Sequence, residues 1–279
     1  MNDYNYLGVV FNFTGSFVLN NQCIIGKGLK AMHVLLQHIK RLEVNPKLSL
    51  QLFDAFVGSI LNYGCPIWGF SKSKDIERLH LKLCKTLLGA GQSTSNAAVY
   101  GELGRVTLYI NRYVQVIKYW FKVISSENII VKSVYDNLIL NNVRGDSWSF
   151  KVKLLLESYG FSDVWLNPEQ FYVPTFISSF KQRVTDAFYQ EWFADLFNNN
   201  VLNIFYVNLK LTFGYESYLP TISAFTTRRY LTRMRISANR LRINSGRFRE
   251  RIPRIERRCQ LCNQSVPVDI EDEFHFILK

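Results

Sequence analysis

The stretch that follows Thr107 constrains the fold most. Ile110, Tyr113, Val114, Ile117, Phe121 and Ile124 recur at i, i+3, i+4 and i+7, the rhythm of an amphipathic helix with one face on a core. Thr107 is the expected cap of that helix. The same period returns along most of the chain. Met32, Leu35, Leu36, Ile39 and Leu42 mark a helix over 29–42 that Asn45-Pro46 closes, and Pro46 opens a second one to about Asn62. A third runs from a cap at Ser73 to Leu88 before Gly89, and Ser93-Thr94-Ser95-Asn96 starts a short one that ends at Gly101. Helical patterns resume over 130–140 and 149–159, separated by a loop from Asn141 to Asp146. Val184, Phe188, Trp192 and Leu196, spaced by fours, predict another helix over 178–197.

One segment departs from this rhythm. Tyr6-Leu7-Gly8-Val9-Val10-Phe11 is β-branched and aromatic, and Thr14-Gly15-Ser16 ends it, so it reads as a strand. A strand needs a neighbour, which leads to the expectation that the chain begins partway through a larger fold. The predicted class is therefore mainly α, with a short N-terminal strand. Polar breaks suggest three regions: a helical body over 1–125, a helical connector over 126–219, and a tail over 220–279 entered through Phe213-Gly214-Tyr215 and Pro220.

Charge is concentrated in that tail. Arg228 to Arg258 holds twelve arginines, no lysine and only Glu250 and Glu256 as acids, so it carries nearly all of the formal net charge of +12. Tyr230, Leu231, Met234, Ile236, Leu241 and Phe248 are interleaved with the arginines, which predicts one packed face and one cationic face. Guanidinium groups fit phosphate oxygens and stack on bases, so the expected partner is RNA or DNA, and the expected contacts are Arg228, Arg229, Arg233, Arg235, Arg240, Arg242, Arg247 and Arg249. A second stripe, Lys74, Arg78, Lys82 and Lys85, lies on the side of its helix opposite Ile76, Leu79, Leu83 and Leu87. It reads equally as a solvated face or as a surface that tracks a phosphate backbone.

With 48% hydrophobic and 15% aromatic residues the chain is too apolar to be disordered along its length. Its amino terminus lacks the positive and apolar regions of a secretory signal, so the expected location is intracellular, nuclear or cytoplasmic. Leu52 to Phe70 is apolar, yet Asp54, Asn62, three glycines and Pro66 argue against a membrane span, since a mid-bilayer aspartate costs roughly 2.5–3.5 kcal/mol. Cys23, Cys65 and Cys84 sit in apolar stretches and read as reduced, buried thiols. His80 and Cys84 are one turn apart without a further ligand at suitable spacing, and core packing is their expected role.

Cys259-Gln260-Leu261-Cys262, followed by His275, has metal-ligand spacing. Structural zinc sites pair such a turn with a second pair of ligands, and three of the four are present here. Zinc is the candidate cofactor, with water, a carboxylate such as Glu271, or a partner completing the shell. A redox reading of Cys-x-x-Cys lacks the βαβ context such motifs use.

Several motifs taken in order carry a resemblance. Ser59-Ile60-Leu61-Asn62-Tyr63-Gly64, Trp68-Gly69, Ile76-Glu77 with His80, Cys84-Lys85 with Leu87-Leu88-Gly89, and Tyr100-Gly101-Glu102-Leu103-Gly104-Arg105 resemble the region after the palm in non-LTR retrotransposon reverse transcriptases. Tyr6-Leu7-Gly8-Val9 is similar to the strand leaving that palm. Arg235-Ile236-Ser237-Ala238-Asn239, Ser245-Gly246-Arg247, Ile252-Pro253, Arg258 to Cys262 and Glu273-Phe274-His275-Phe276 resemble that family's carboxy-terminal Cys/His motif and its approach. The resemblance implies a helical, thumb-like bundle followed by an Arg-rich tail with a partial zinc knuckle. It also implies a reverse transcriptase palm as a partner, and a fourth cysteine that would fall past Lys279.

The family's polymerase chemistry uses paired aspartates, and this sequence has no adjacent aspartate pair. Two-metal chemistry needs clustered carboxylates, and the only acidic cluster is Asp269, Glu271, Asp272 and Glu273 inside the Cys/His loop, where a solvated turn is the expected role. The expectation is a nucleic-acid-binding region without catalysis of its own. Two alternatives stand beside it: an enzyme in its own right, such as a minor nuclease or a polymerase completed by another chain, and a relic or interaction protein with no activity, whose apolar surface near Tyr6 to Phe13 once met a palm.

Overall fold

Helix dominates the residues described by the computed structural model, which are 3–140, 147–198, 200–260, 262 and 270–278, with 200–204, 248–249 and 278 described by their backbone alone. The loop expected over 141–146 lies outside them. No described helix is long and apolar enough to cross a membrane.

The only sheet among the described residues is a hairpin of β1 (Asp3–Tyr6) and β2 (Val9–Asn12), paired antiparallel. The single strand expected over Tyr6 to Phe11 is thus corrected, because its middle is the turn. Leu7 and Gly8 both have positive φ, 48° and 84°, the geometry that joins strands through a two-residue loop and matches their right-handed twist. β1 has its pairing partner within the chain, and the sequence argument for an outside neighbour falls away. β2 seats the hairpin. Val9 is buried, Val10 N donates to Asn20 Oδ1 at 3.1 Å, and Tyr63 OH donates to Leu7 O at 2.6 Å.

The main helices follow: α1 (Val18–Arg41), α2 (Pro46–Phe53), α3 (Lys74–Leu88), α4 (Asn96–Glu102), α5 (Tyr109–Ile124), α6 (Ile129–Leu140), α7 (Trp148–Ser158), α8 (Val173–Asn198), α9 (Asn200–Leu209), α10 (Phe225–Arg235) and α11 (Glu273–Leu278). α1 starts eleven residues earlier than the apolar period indicates, since Asn20 is fully buried and Gly28 faces Leu61 so closely that a Cβ would meet Leu61 Cδ2 at 2.6 Å. α3 ends at Leu88 as expected, with Gly89 at φ +61°. Ser95 caps α4 by accepting from Ala98 N.

The chain divides into two compact units that interleave in sequence. Unit 1 comprises 1–38, 51–80 and 106–190; unit 2 comprises 39–50, 81–105 and 191–279.

In unit 1 the predicted stripe of α5 is buried at Ile110, Tyr113, Val114, Ile117 and Phe121, and Val116 and Trp120 widen it. Thr107 does not cap this helix. The cap position is Leu108, and Glu77 of α3 accepts from Leu108 N at 3.1 Å and Tyr109 N at 3.0 Å, so a carboxylate satisfies the first amides and meets the positive end of the helix. Glu77 also pairs with buried Arg112 at 3.3 Å and with His80 Nδ1 at 3.5 Å. Burial opposes the Glu77 charge, but His80, Arg112 and the Leu108 amide prevail and hold the carboxyl below its usual range. His80 is buried and stacked on Phe53, as core packing requires.

The core of unit 2 gathers Val99, Trp192, Leu196, Tyr206, Leu219 and Ile236. Gly101 is needed there, because a Cβ would meet Tyr206 Oη at 2.6 Å and Trp192 Cζ2 at 2.8 Å. Trp192 Nε1 donates to Ala97 O at 2.8 Å.

Candidate nucleic-acid interface and metal-ligand group

The arginine run folds as α10, a short helix over Arg242–Ser245, a π-turn over Gly246–Glu250 and a 3-10 turn over Arg254–Glu256. Its arginines separate into two classes by what surrounds them.

The first class is structural. Arg228 is buried, its Nη1 donating to Ile222 O at 2.9 Å and Ser223 O at 3.3 Å, and burial lowers its proton affinity. Arg235 grips the fully buried Glu102, with Nε at 3.2 Å from each carboxylate oxygen and Nη2 at 3.1 Å from Oε1. Its Nη2 also reaches Glu216 Oε2 at 2.8 Å. Tyr218 OH donates to Glu102 Oε2 at 2.6 Å, and Lys210 Nζ pairs with Glu216. Burial works against the Arg235 charge, yet the hydrogen bonds and charge of Glu102, with Glu216, raise its pKa further. Burial and the Glu102 carboxylate push the Tyr218 phenol well up. Arg242 pairs with Glu250 at 3.0 Å. Arg257 ties backbone together, donating to Ile252 O at 2.8 and 3.0 Å and to Ile243 O at 2.9 Å.

The second class faces outward. Arg240, Arg251, Arg254 and Arg258 are exposed. Arg229 and Arg233 are half-buried against Gly89: a Cβ at that glycine would meet Arg229 Cγ at 2.3 Å, and Arg233 Nε donates to Gly89 O at 2.7 Å. Burial, then the charges of Arg229 and Arg240, lower the Arg233 pKa; burial, then Arg247 and Arg254, lower that of Arg257. These repulsions reflect guanidinium groups that lie near one another, which concentrates positive potential.

Of the expected contact set, then, Arg228, Arg235 and Arg242 serve the fold. Arg240 is exposed, Arg229, Arg233 and Arg247 are half-buried, and the Arg249 side chain lies outside the described residues. Arg251, Arg254 and Arg258 belong to the run but not to that set, and they are among its most exposed members. Alternation of charge in the sequence could not find them, because exposure here is decided by turns rather than by a helical period.

The α3 stripe divides in the same way. Lys85 is buried and donates to Gln92 O at 2.7 Å, its proton affinity lowered by desolvation, and Arg78 pairs with Asp75 at 2.8 Å. Lys74 and Lys82 remain exposed.

Backbone pairing builds the Cys/His group. Arg258 bridges Ile270, and Glu271 N donates to Arg257 O at 2.9 Å, so the chain entering Cys259 runs beside the chain entering α11. Asp272 Oδ1 accepts from His275 N at 2.9 Å in the first turn of that helix. Cys259, Cys262 and His275 then present donor atoms that all lie within 4.8 Å of one another, with Cys262 Sγ and His275 Nε2 at 3.3 Å. Zinc bonds of about 2.3 Å to sulfur and 2.0–2.1 Å to nitrogen span such separations, so two thiols and an imidazole fit a metal ion. Glu271 is not part of this group. Glu273 is buried and accepts from Asn239 Nδ2 at 2.7 Å, a structural role.

No protein-family model, curated protein or solved structure matches the chain.

Proposed function

We propose that this chain is a nucleic-acid-binding region without catalysis of its own, akin to the thumb and carboxy-terminal part of a non-LTR retrotransposon reverse transcriptase. The carrying observation is the outward set Arg240, Arg251, Arg254 and Arg258, exposed on the same segment whose backbone assembles Cys259, Cys262 and His275. Exposed guanidiniums bind phosphates by releasing counterions, and the contact carries little sequence information. Zinc on the Cys/His group would hold this segment in one shape, with both thiols as thiolates.

The test is anisotropy of a labelled single-stranded RNA and its DNA counterpart, titrated with the whole chain across a salt series. Replacing Arg240, Arg251, Arg254 and Arg258 by Gln removes four contacts, and for single strands the slope of log K against log salt should flatten by about 3. Unchanged affinity and slope would refute the assignment.

A second reading, an interaction protein whose hairpin meets another polypeptide, is favoured by a different observation. Tyr4, Tyr6, Leu7 and Phe13 are exposed by 55–77% around the hairpin. Weak RNA binding by the parent, together with self-association that Leu7→Asn and Phe13→Ser relieve, would favour this reading over the first.

A further inference from the structure

We propose that the cavity beside α6 in unit 1 is a binding site for an aryl carboxylate, a small ligand with a flat apolar body and one negative charge. This goes beyond the nucleic-acid reading and does not depend on it.

α6 is apolar on several sides yet has no buried residue, and Ile130 and Val134 are 73% and 56% exposed. This helix lines a cavity of about 490 Å³. The volume lies within the roughly 300–1,000 Å³ typical of ligand pockets.

The walls are held in place by hydrogen bonds within the unit. Trp148 Nε1 donates to Pro66 O at 2.8 Å, and its ring meets Tyr119 edge-on at 5.8 Å. Tyr135 is fixed through its hydroxyl, which accepts from Trp120 Nε1 at 2.9 Å. Tyr119, Tyr135 and Trp148, with Phe17, offer aromatic surface that packs against a ring in stacked or edge-on geometry. Among the described residues Lys151 is the one charged side chain in the lining, and it has no ion pair there. An apolar cavity with a single cation at its wall favours an anion over a neutral molecule of the same shape.

The experiment uses the whole chain and the fluorescent aryl sulfonate 8-anilinonaphthalene-1-sulfonate as reporter, displaced by 2-naphthoate or by neutral 2-naphthalenemethanol. The expected result is stoichiometric reporter binding, with naphthoate displacing it more effectively than the alcohol. Lys151→Gln should weaken naphthoate about fivefold, the scale of a partly exposed ion pair, and change the alcohol less than twofold. Val134→Trp fills the cavity from an exposed position and should abolish displaceable binding of both. Ile130→Glu adds a like charge at the mouth and should weaken naphthoate selectively, which keeps the test decisive if the tryptophan variant misfolds. Absence of binding by the parent, unchanged naphthoate affinity in Lys151→Gln and Ile130→Glu, or equal loss of both ligands in Lys151→Gln would overturn the proposal.

Discussion

Replacing Arg235 by Met is the sharpest perturbation the structure offers. Glu102 is fully buried, and Arg235 supplies three of the hydrogen bonds that make its charge tolerable there; Tyr218 supplies another. At an effective dielectric constant of about 20, unit charges about 4 Å apart attract by about 4 kcal/mol. Removing one partner leaves the other charge buried and uncompensated, which costs roughly 3–5 kcal/mol. At 1.4 kcal/mol per decade that is a hundred- to several-thousand-fold rise in opening of the surrounding structure. Amide hydrogen exchange read on peptides covering α4 and α10 measures it locally, without assuming that both units unfold together. Glu102→Gln alone should cost less, because Arg235 is partly exposed and keeps Glu216. The double variant, with neither charge buried, should recover most of the protection lost in Arg235→Met. If Arg235→Met changes exchange less than fivefold, or if the two losses simply add, the buried pair does not hold unit 2 together.

Two further outcomes follow from the same structure. Glu77 has a carboxyl held below its ordinary value near 4.5, so its contribution to unit 1 is present above that pH and is lost as pH falls through the folded value. Acid denaturation monitored at neutral to low pH should show this sensitivity, and Glu77→Gln should lower neutral-pH stability and flatten the acid limb; an unchanged limb would refute the account. Among the cysteines, Cys65 and Cys84 are buried as their apolar stretches suggest but Cys23 is exposed, so Cys23 should alkylate fastest, whereas burial pushes the Cys65 thiol up to about 12 and keeps it inert at neutral pH. One equivalent of zinc should protect Cys259 and Cys262 but not Cys23 in a mass-resolved alkylation assay, and His275→Ala should remove that protection.

Much of the helical body was legible because burial repeats with the helical period. The face of α5 and the spacing Val184, Phe188, Trp192, Leu196 in α8 are buried as their periodicity requires. Where the period fails, tertiary contacts decide. α1 extends through Asn20 and Gly28, residues poor in helix propensity, because one accepts from the hairpin and the other permits close approach of Leu61. The hairpin turn was hidden because Leu at positive φ is uncommon and β-branched neighbours mask it. The cap of α5 comes from Glu77, more than thirty residues upstream, which no local motif can reveal.

The arginine run shows why charge in sequence and charge available to a partner differ. Glu102, the carboxylate that captures Arg235, lies 133 residues away, and Glu216 lies 19 away, so a window over the tail counts the cation and misses both of its partners. On α10 the positions Arg228, Thr232 and Arg235 recur at i, i+4 and i+7, the spacing of an inward face, and all three meet polar groups of unit 2. That face is spent on the fold. Arg229 and Arg233 on the other side of the helix are half-buried, and the exposed arginines of the run lie on the segment after α10, where turns rather than a helix set exposure. That segment is the one whose backbone at Arg257 and Arg258 pairs with Glu271 and Ile270, on the approach to His275. Whatever fixes the Cys/His group would fix the spacing of the exposed guanidiniums beside it, so under the proposed reading metal binding and phosphate binding would act on one structural element.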